Sequence, residues 1–192
     1  MTLIFATGNP NKVHEIMALV PQGTKVIGLK EVGIVEDIPE EEPTLEGNAL
    51  AKARYVFEKT GMPCFADDTG LEVKALNGEP GVLSARYAGP EKDPEKNMDL
   101  LLQNLSGIED RSARFRTVIA LVSGNGEWTF EGEVKGRISP TKKGEKGFGY
   151  DPIFIPEGET RSFAEMTLAE KNQMSHRARA FRKFKRFLED HS

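Results

Sequence analysis

Two adjacent aspartates, Asp67 and Asp68, stand in the segment FADDTG, Phe65 to Gly70. Keeping both ionised side by side is costly unless a cation lies between or beside them. Magnesium meets that need, because it takes hard oxygen ligands, commonly one or two carboxylates completed by phosphate oxygens. The run Glu40, Glu41, Glu42 offers a further carboxylate, although three consecutive glutamates are also what a solvated loop looks like. Taken bare, Asp-Asp-Thr-Gly reads sooner as a turn in which Asp67 caps local N–H groups, and only its context lifts the metal reading above that.

A second candidate is ATGNPNK, in which Thr7, Gly8, Asn9, Pro10, Asn11 and Lys12 follow a short apolar run and lead into apolar residues at helical spacing. Free N–H groups and the positive end of the helix dipole suit a phosphate there, and Lys12 adds a full charge. The glycine-lysine-serine or -threonine ending of a P-loop is missing, so a plain strand-to-helix turn is the other reading. A third is GEKGFGYDP, where Phe148, Gly149, Tyr150 and Asp151 could stack a base and hydrogen-bond its edge, or form a hairpin with core aromatics. Lys171 and the triplet Ser175, His176, Arg177 lie before and within the start of the last helix, where the dipole disfavours cations. A bound anion or keto oxygen would account for them; otherwise they are structural or solvated.

The elements that must position these residues follow from periodicity and punctuation. Leu3 to Ala6 reads as a strand, and Val13, Ile16, Met17 and Val20 as one face of a helix. A second helix starts near Thr44, with Ala49, Ala53, Val56 and Phe57 inward and Asn48, Lys52 and Tyr55 on the neighbouring face. Pro63 to Ala66 reads as a strand ending at the two aspartates, with Leu71, Val73 and Ala75 alternating on a returning strand. Asp93 and Pro94 cap a helix carrying Met98, Leu101, Leu102 and Leu105, and Thr117 to Ser123 pairs with Trp128 to Val134 as a hairpin. Capping-box patterns at Ser162 to Glu165 and Thr167 to Glu170 precede a final helix with Phe181, Phe184 and Leu188 inward. Strands and helices mix without strict alternation, which predicts an α/β fold: a mixed central sheet flanked by helices.

The 192 residues fit one domain, or two lobes sharing one core. A formal charge of −4 argues against a general nucleic-acid binder, and the basic run from Arg177 to Arg186 reads as a solvated helix face. The single cysteine, Cys64, excludes an internal disulfide or a zinc cluster. The opening MTLIFATGN lacks the features of a signal peptide and no apolar run reaches the length of a membrane span, so a cytoplasmic protein is expected. Cys64 and Trp128 are expected to do no more than pack.

Together, ATGNPNK, TLEGNALAKA, ADDTGLEVKALNGEPGVLSARYAG, FGYDPIF and EKNQMSHRARA resemble the inosine triphosphate pyrophosphatase family, the dITP/XTP pyrophosphatases, in that family's order and over nearly the whole chain. The resemblance implies an elongated mixed α/β fold with two lobes around a substrate cleft, a homodimer, and Mg2+-dependent hydrolysis of non-standard purine nucleoside triphosphates (ITP, dITP, XTP) to monophosphate and pyrophosphate. It also implies that Asp68 is the catalytic carboxylate and a metal ligand, with Asp67 assisting, Lys52 as a cationic clamp, and Glu40 as the second ligand, or Glu41 if the register shifts. Thr7 to Lys12 with Asn48 match the triphosphate-binding residues; Phe148 to Asp151, Lys171, His176 and Arg177 match those holding purine and sugar. Thr69 stands where the family usually has serine, which keeps the hydroxyl and adds a methyl. A Maf-like pyrimidine or modified-nucleotide pyrophosphatase is the alternative.

Overall fold

The structure is a computed structural model and describes residues 1–191. Seven strands and five helices are described: β1 (Thr2–Phe5), α1 (Pro10–Met17), β2 (Lys25–Ile27), α2 (Leu45–Thr60), β3 (Cys64–Val73), β4 (Pro80–Gly81), α3 (Pro94–Asn104), β5 (Ser112–Ser123), β6 (Gly126–Ile138), β7 (Phe154–Pro156), α4 (Leu168–Met174) and α5 (His176–Asp190). The strands form one mixed sheet in the order β2-β1-β3-β5-β6-β7, with β4 paired to β3. β1 runs parallel to β2 and β3, whereas β4 and β7 run antiparallel to β3 and β6. The expected mixed α/β architecture is therefore present.

Helix starts obey local chemistry. Asn9 caps α1 by accepting from the Asn11 N–H, with Pro10 in the first turn where its missing N–H costs nothing. Thr44 caps α2 by accepting from Gly47, and Gly61, at φ 67°, closes that helix with its N–H on the Phe57 carbonyl. Leu45, Asn48, Ala49, Lys52, Ala53 and Val56 make up the buried face of α2. Both capping boxes form, but they start a short 3-10 turn, Phe163–Glu165, and then α4. α5 is thus a separate helix beginning at His176.

One expectation is corrected. Asp67 and Asp68 do not end a strand that turns back; β3 continues from Cys64 to Val73, and Ala75 lies in the 3-10 turn Lys74–Leu76 that follows. Eight of the ten β3 positions are buried, so the strand faces no water on either side and shows none of the alternation that marks a half-buried strand.

By contacts the chain divides into two compact units, the first made of Met1–Asp68, Thr117–Gly132 and Ala178–Ser192, the second of Thr69–Arg116 and Glu133–Arg177. The core of the first gathers Leu3, Phe5, Ile16, Phe65, Ile119 and Phe184, with Phe5 stacked on Phe65 at 4.5 Å between ring centroids. Trp128 packs there against Phe187, and Cys64 is buried, its thiol donated to the Ala53 carbonyl and pushed up to about 12 by burial. The outward residues of the basic run, Arg179, Arg182, Lys183 and Arg186, are solvated. In the second unit Leu71, Met98, Leu101, Phe115, Phe154 and Phe163 form the core, the rings of Phe115 and Phe154 lying 4.6 Å apart. No helix among the described residues is long and apolar enough to cross a membrane.

Candidate active site

In the first unit, β3 and α2 bring a set of charged side chains together. Successive residues of a strand point to opposite faces, so Asp67 and Asp68 diverge from one backbone. Asp67 accepts from the Lys12 ammonium at 3.1 Å, which ties α1 to β3. Asp68 accepts from the Asn48 amide nitrogen at 3.1 Å. The Asn48 amide oxygen in turn accepts from the Glu42 N–H at 2.9 Å, so one side chain of α2 holds both the carboxylate and the acidic segment before the helix.

Lys52, one turn after Asn48, donates to Glu40 Oε1 at 2.9 Å and to the Asp67 carbonyl at 2.5 Å. Only 5% of Lys52 is exposed. Burial works against its charge, but Glu40, Asp67 and Asp68 outweigh that penalty and hold its pKa above the ordinary lysine value. Of the three glutamates, Glu40 is the one turned onto Lys52, while Glu41 and Glu42 are exposed.

Asp68 is 6% exposed. Burial raises its pKa to about 6 from 3.8; Lys52 and Lys12 pull it down, Glu40 pushes it up, and the Asn48 hydrogen bond lowers it. A carboxyl poised there is ionised at neutral pH yet basic enough to take a proton. In the loop before α1, Thr7 Oγ1 accepts from Asn9 N, and Asn9 Oδ1 from Asn11 N, so both side chains shape the loop itself. A side chain at Gly8 would meet open space.

The second unit holds a different cluster. Asp151 Oδ2 accepts from the Lys171 ammonium at 2.7 Å and from the Phe148 N–H at 3.0 Å, both charged side chains being buried. Gly147, at φ 72°, faces that carboxylate so closely that any side chain would collide with it. Lys171 lies 4.8 Å from the centre of the Phe148 ring and the Arg177 guanidinium 5.5 Å, two cations against one aromatic face. Arg177, 1% exposed, donates to Thr69 Oγ1 at 3.1 Å, and His176 stacks on Phe115 at 4.6 Å.

Tyr150 is placed otherwise than a base-stacking residue: its ring is buried in the core and its hydroxyl donates to the Ser84 carbonyl at 2.6 Å. Its neighbours Ser84 and Asn97 escaped the sequence reading, although Asn97 is a polar residue set beside Met98 and Leu101 on the apolar face of α3.

The first unit thus holds carboxylates bound by lysines, and the second unit holds cations laid over an aromatic ring. The Ham1 family model matches residues 3–187, and the chain belongs to that family. It is 53% identical over 187 residues to a dITP/XTP pyrophosphatase of Porphyromonas gingivalis, covering 97% of this chain and 96% of that one. It is 45% identical to a dITP/XTP pyrophosphatase of Bacillus subtilis, covering 97% and 96%. Among solved structures it matches a Staphylococcus aureus Ham1 protein with a TM-score of 0.91 and 38% identity over the whole of both chains.

Proposed function

We propose that this protein hydrolyses non-standard purine nucleoside triphosphates, those of inosine, deoxyinosine and xanthosine, to the monophosphate and pyrophosphate, keeping such nucleotides from polymerases. The observation that carries the reading is the cluster of buried Asp67, Asp68 and Lys52 with the half-buried Glu40, in a chain of this family, with a carboxyl whose pKa is raised to about 6. A water oxygen bonds to the α-phosphorus while the bridging bond to the β-phosphate breaks, and pyrophosphate leaves with the bonding pair. Asp68 takes the proton that the water gives up. Lys12 and Lys52 oppose the charge of the phosphates, and the backbone of residues 7–12 at the start of α1 receives them.

Three carboxylates against two ammonium groups leave the cluster with one negative charge in excess, which favours a hard cation. Among the described residues no three acidic, histidine or cysteine side chains form a ready cage. Mg2+ is commonly held by one or two carboxylates and by substrate phosphates, and here Asp68 and Glu40 would be its ligands. When bound, Mg2+ supplies further positive charge toward the triphosphate and acidifies the attacking water.

The purine lies against Phe148, and the Arg177 guanidinium donates to a 6-keto oxygen. Adenine presents an amino group there, a polar mismatch that a buried site can turn into discrimination of about 10⁴-fold. The same reading includes a cytoplasmic homodimer, which light scattering on the purified protein checks. Thr69 orients Arg177, so Thr69→Val raises KM for inosine triphosphate about tenfold, the cost of a hydrogen bond to a charged group, while Thr69→Ser stays within about twofold. Equal effects of the two substitutions in steady-state kinetics would remove the hydroxyl from that role.

The test of the function is pyrophosphate release from inosine, xanthosine, guanosine, adenosine and thymidine triphosphates, with and without Mg2+. Metal-dependent release from the first two is expected. Preference for thymidine triphosphate, or no turnover, overturns the reading.

A further inference from the structure

The segment 147–151 is stiff within itself. Phe148 donates its N–H to the Asp151 carboxylate at 3.0 Å, and Asp151 returns its own N–H to the Phe148 carbonyl at 3.2 Å. A turn closed on itself in this way still has to be located, and the direction of the Phe148 ring depends on where the turn is fixed. Tyr150, inside it, sends its ring into the core and its hydroxyl to the carbonyl of Ser84.

That carbonyl belongs to a tightly held loop. Ser84 Oγ accepts from the Leu71 N–H at 2.9 Å and donates to the Gly81 carbonyl at 2.6 Å, which secures it to β3 and to β4. From α3, Asn97 donates to the Ala85 carbonyl at 2.9 Å and, more weakly, to the Ser84 carbonyl at 3.5 Å, and accepts from the Ala88 N–H at 2.8 Å. Asn97 is 3% exposed, so each of these bonds forms away from water, where a lost partner leaves an unsatisfied group.

We propose that Tyr150 is a positioning residue for the purine end of the substrate: its hydroxyl, bonded to the carbonyl that Asn97 also holds, sets the face of Phe148 against Lys171 and Arg177. The inference rests on the proposed function, since it needs a purine to be held there. Tyr150 itself offers its phenol to the backbone and acts only through Phe148. Asn97 acts at one further remove, from a helix that carries none of the residues assigned to the substrate.

The experiment compares two ligands by calorimetry on the full-length protein: the α,β-imido analogue of inosine triphosphate, which cannot be cleaved at the reacting bond, and inorganic tripolyphosphate, which has no base. Tyr150→Phe keeps the ring and removes the hydroxyl. It is expected to weaken binding of the analogue about tenfold and to leave tripolyphosphate within about twofold, since one buried hydrogen bond is at stake. Asn97→Ala should do the same, and the double variant should be no weaker than the poorer single one, because both act on one carbonyl. Should Asn97→Ala fail to fold, Tyr150→Phe decides alone. Undiminished binding of the analogue by Tyr150→Phe overturns the proposal, and so does equal weakening of both ligands, which marks a general loosening. If the natural protein binds the analogue no better than tripolyphosphate, the purine site and the proposed function fall with it; a natural protein that prefers the analogue, beside a Tyr150→Phe variant that keeps the preference, removes the positioning role only.

Discussion

Asp68→Asn is expected to lower pyrophosphate release about 10³-fold and, at the same time, to make the ligand-free protein harder to melt at neutral pH. The loss follows from removing the group that accepts the water's proton. The gain follows from what burial does to that group. Its pKa is raised in the folded protein to about 6 from 3.8, so the fold binds the Asp68 proton more tightly than the unfolded chain does. That contribution is fully present below pH 4 and is lost as the pH rises through 6. Two pKa units correspond to about 3 kcal/mol, which the ionised carboxylate withholds from the fold at pH 7 and above. Asparagine cannot ionise, and its side-chain oxygen can still accept from Asn48. The expected melting curves therefore coincide near pH 4 and separate by roughly 5 °C at pH 8, with the variant higher. Adding Mg2+ should raise the melting point of the natural protein and leave that of Asp68→Asn nearly unmoved. Equal melting points across the whole pH range would show that Asp68 is not strained by its surroundings.

Lys52→Met removes activity to a similar extent but moves stability the other way. The lysine ammonium is buried between Glu40 Oε1 and the Asp67 carbonyl, and its charge is what lets Asp68 ionise as readily as it does. Methionine fills much of the volume and supplies no donor. Breaking a buried ion pair from one side costs about 3–5 kcal/mol, and the lower end applies because Glu40 is 29% exposed and can turn to water. In urea the unfolding midpoint should fall with an unchanged slope, since the surface exposed on unfolding is the same. With Lys52 gone, the pKa of Asp68 should climb further, so the fall in stability that begins near pH 4 runs on to a higher pH before it levels off. A Lys52→Met protein as stable as the natural one would mean that the ammonium does not hold these carboxylates together.

The charged residue types of this cluster were legible in the sequence, while their geometry was not. Helix boundaries were written locally: Asn9 with Pro10, Thr44 with Gly61, and Asp93 with Pro94 mark their termini by capping chemistry alone. The residue types around Asp67, Asp68, Lys52 and Lys12 likewise announced a charged site, because acidic neighbours without cations are unstable. β3 was misread at the same place. An Asp-Asp-Thr-Gly string suggests a turn only when its carboxylates must reach water, and here Lys12 and Asn48, distant in sequence, hydrogen-bond them inside the protein. That Glu40 turns toward the cluster likewise depends on the position of Lys52, twelve residues away. Tyr150 was ambiguous for the same reason, since nothing near it in the chain shows that its hydroxyl would meet the Ser84 carbonyl 66 residues away.

The placement of Asp67 and Asp68 within β3, rather than in a loop, bears on how such a protein can diversify. β3 is an interior strand, with β1 and β5 as neighbours, and shifting one residue there would send every following side chain to the wrong face. The carboxylates proposed to act in hydrolysis are thus fixed to an interior strand, where an insertion or deletion would disturb the register. Phe148 stands on a turn, outside any strand register, where a change is absorbed more readily. Descendants of this chain could drift in which base they accept while inheriting the bond-breaking chemistry intact.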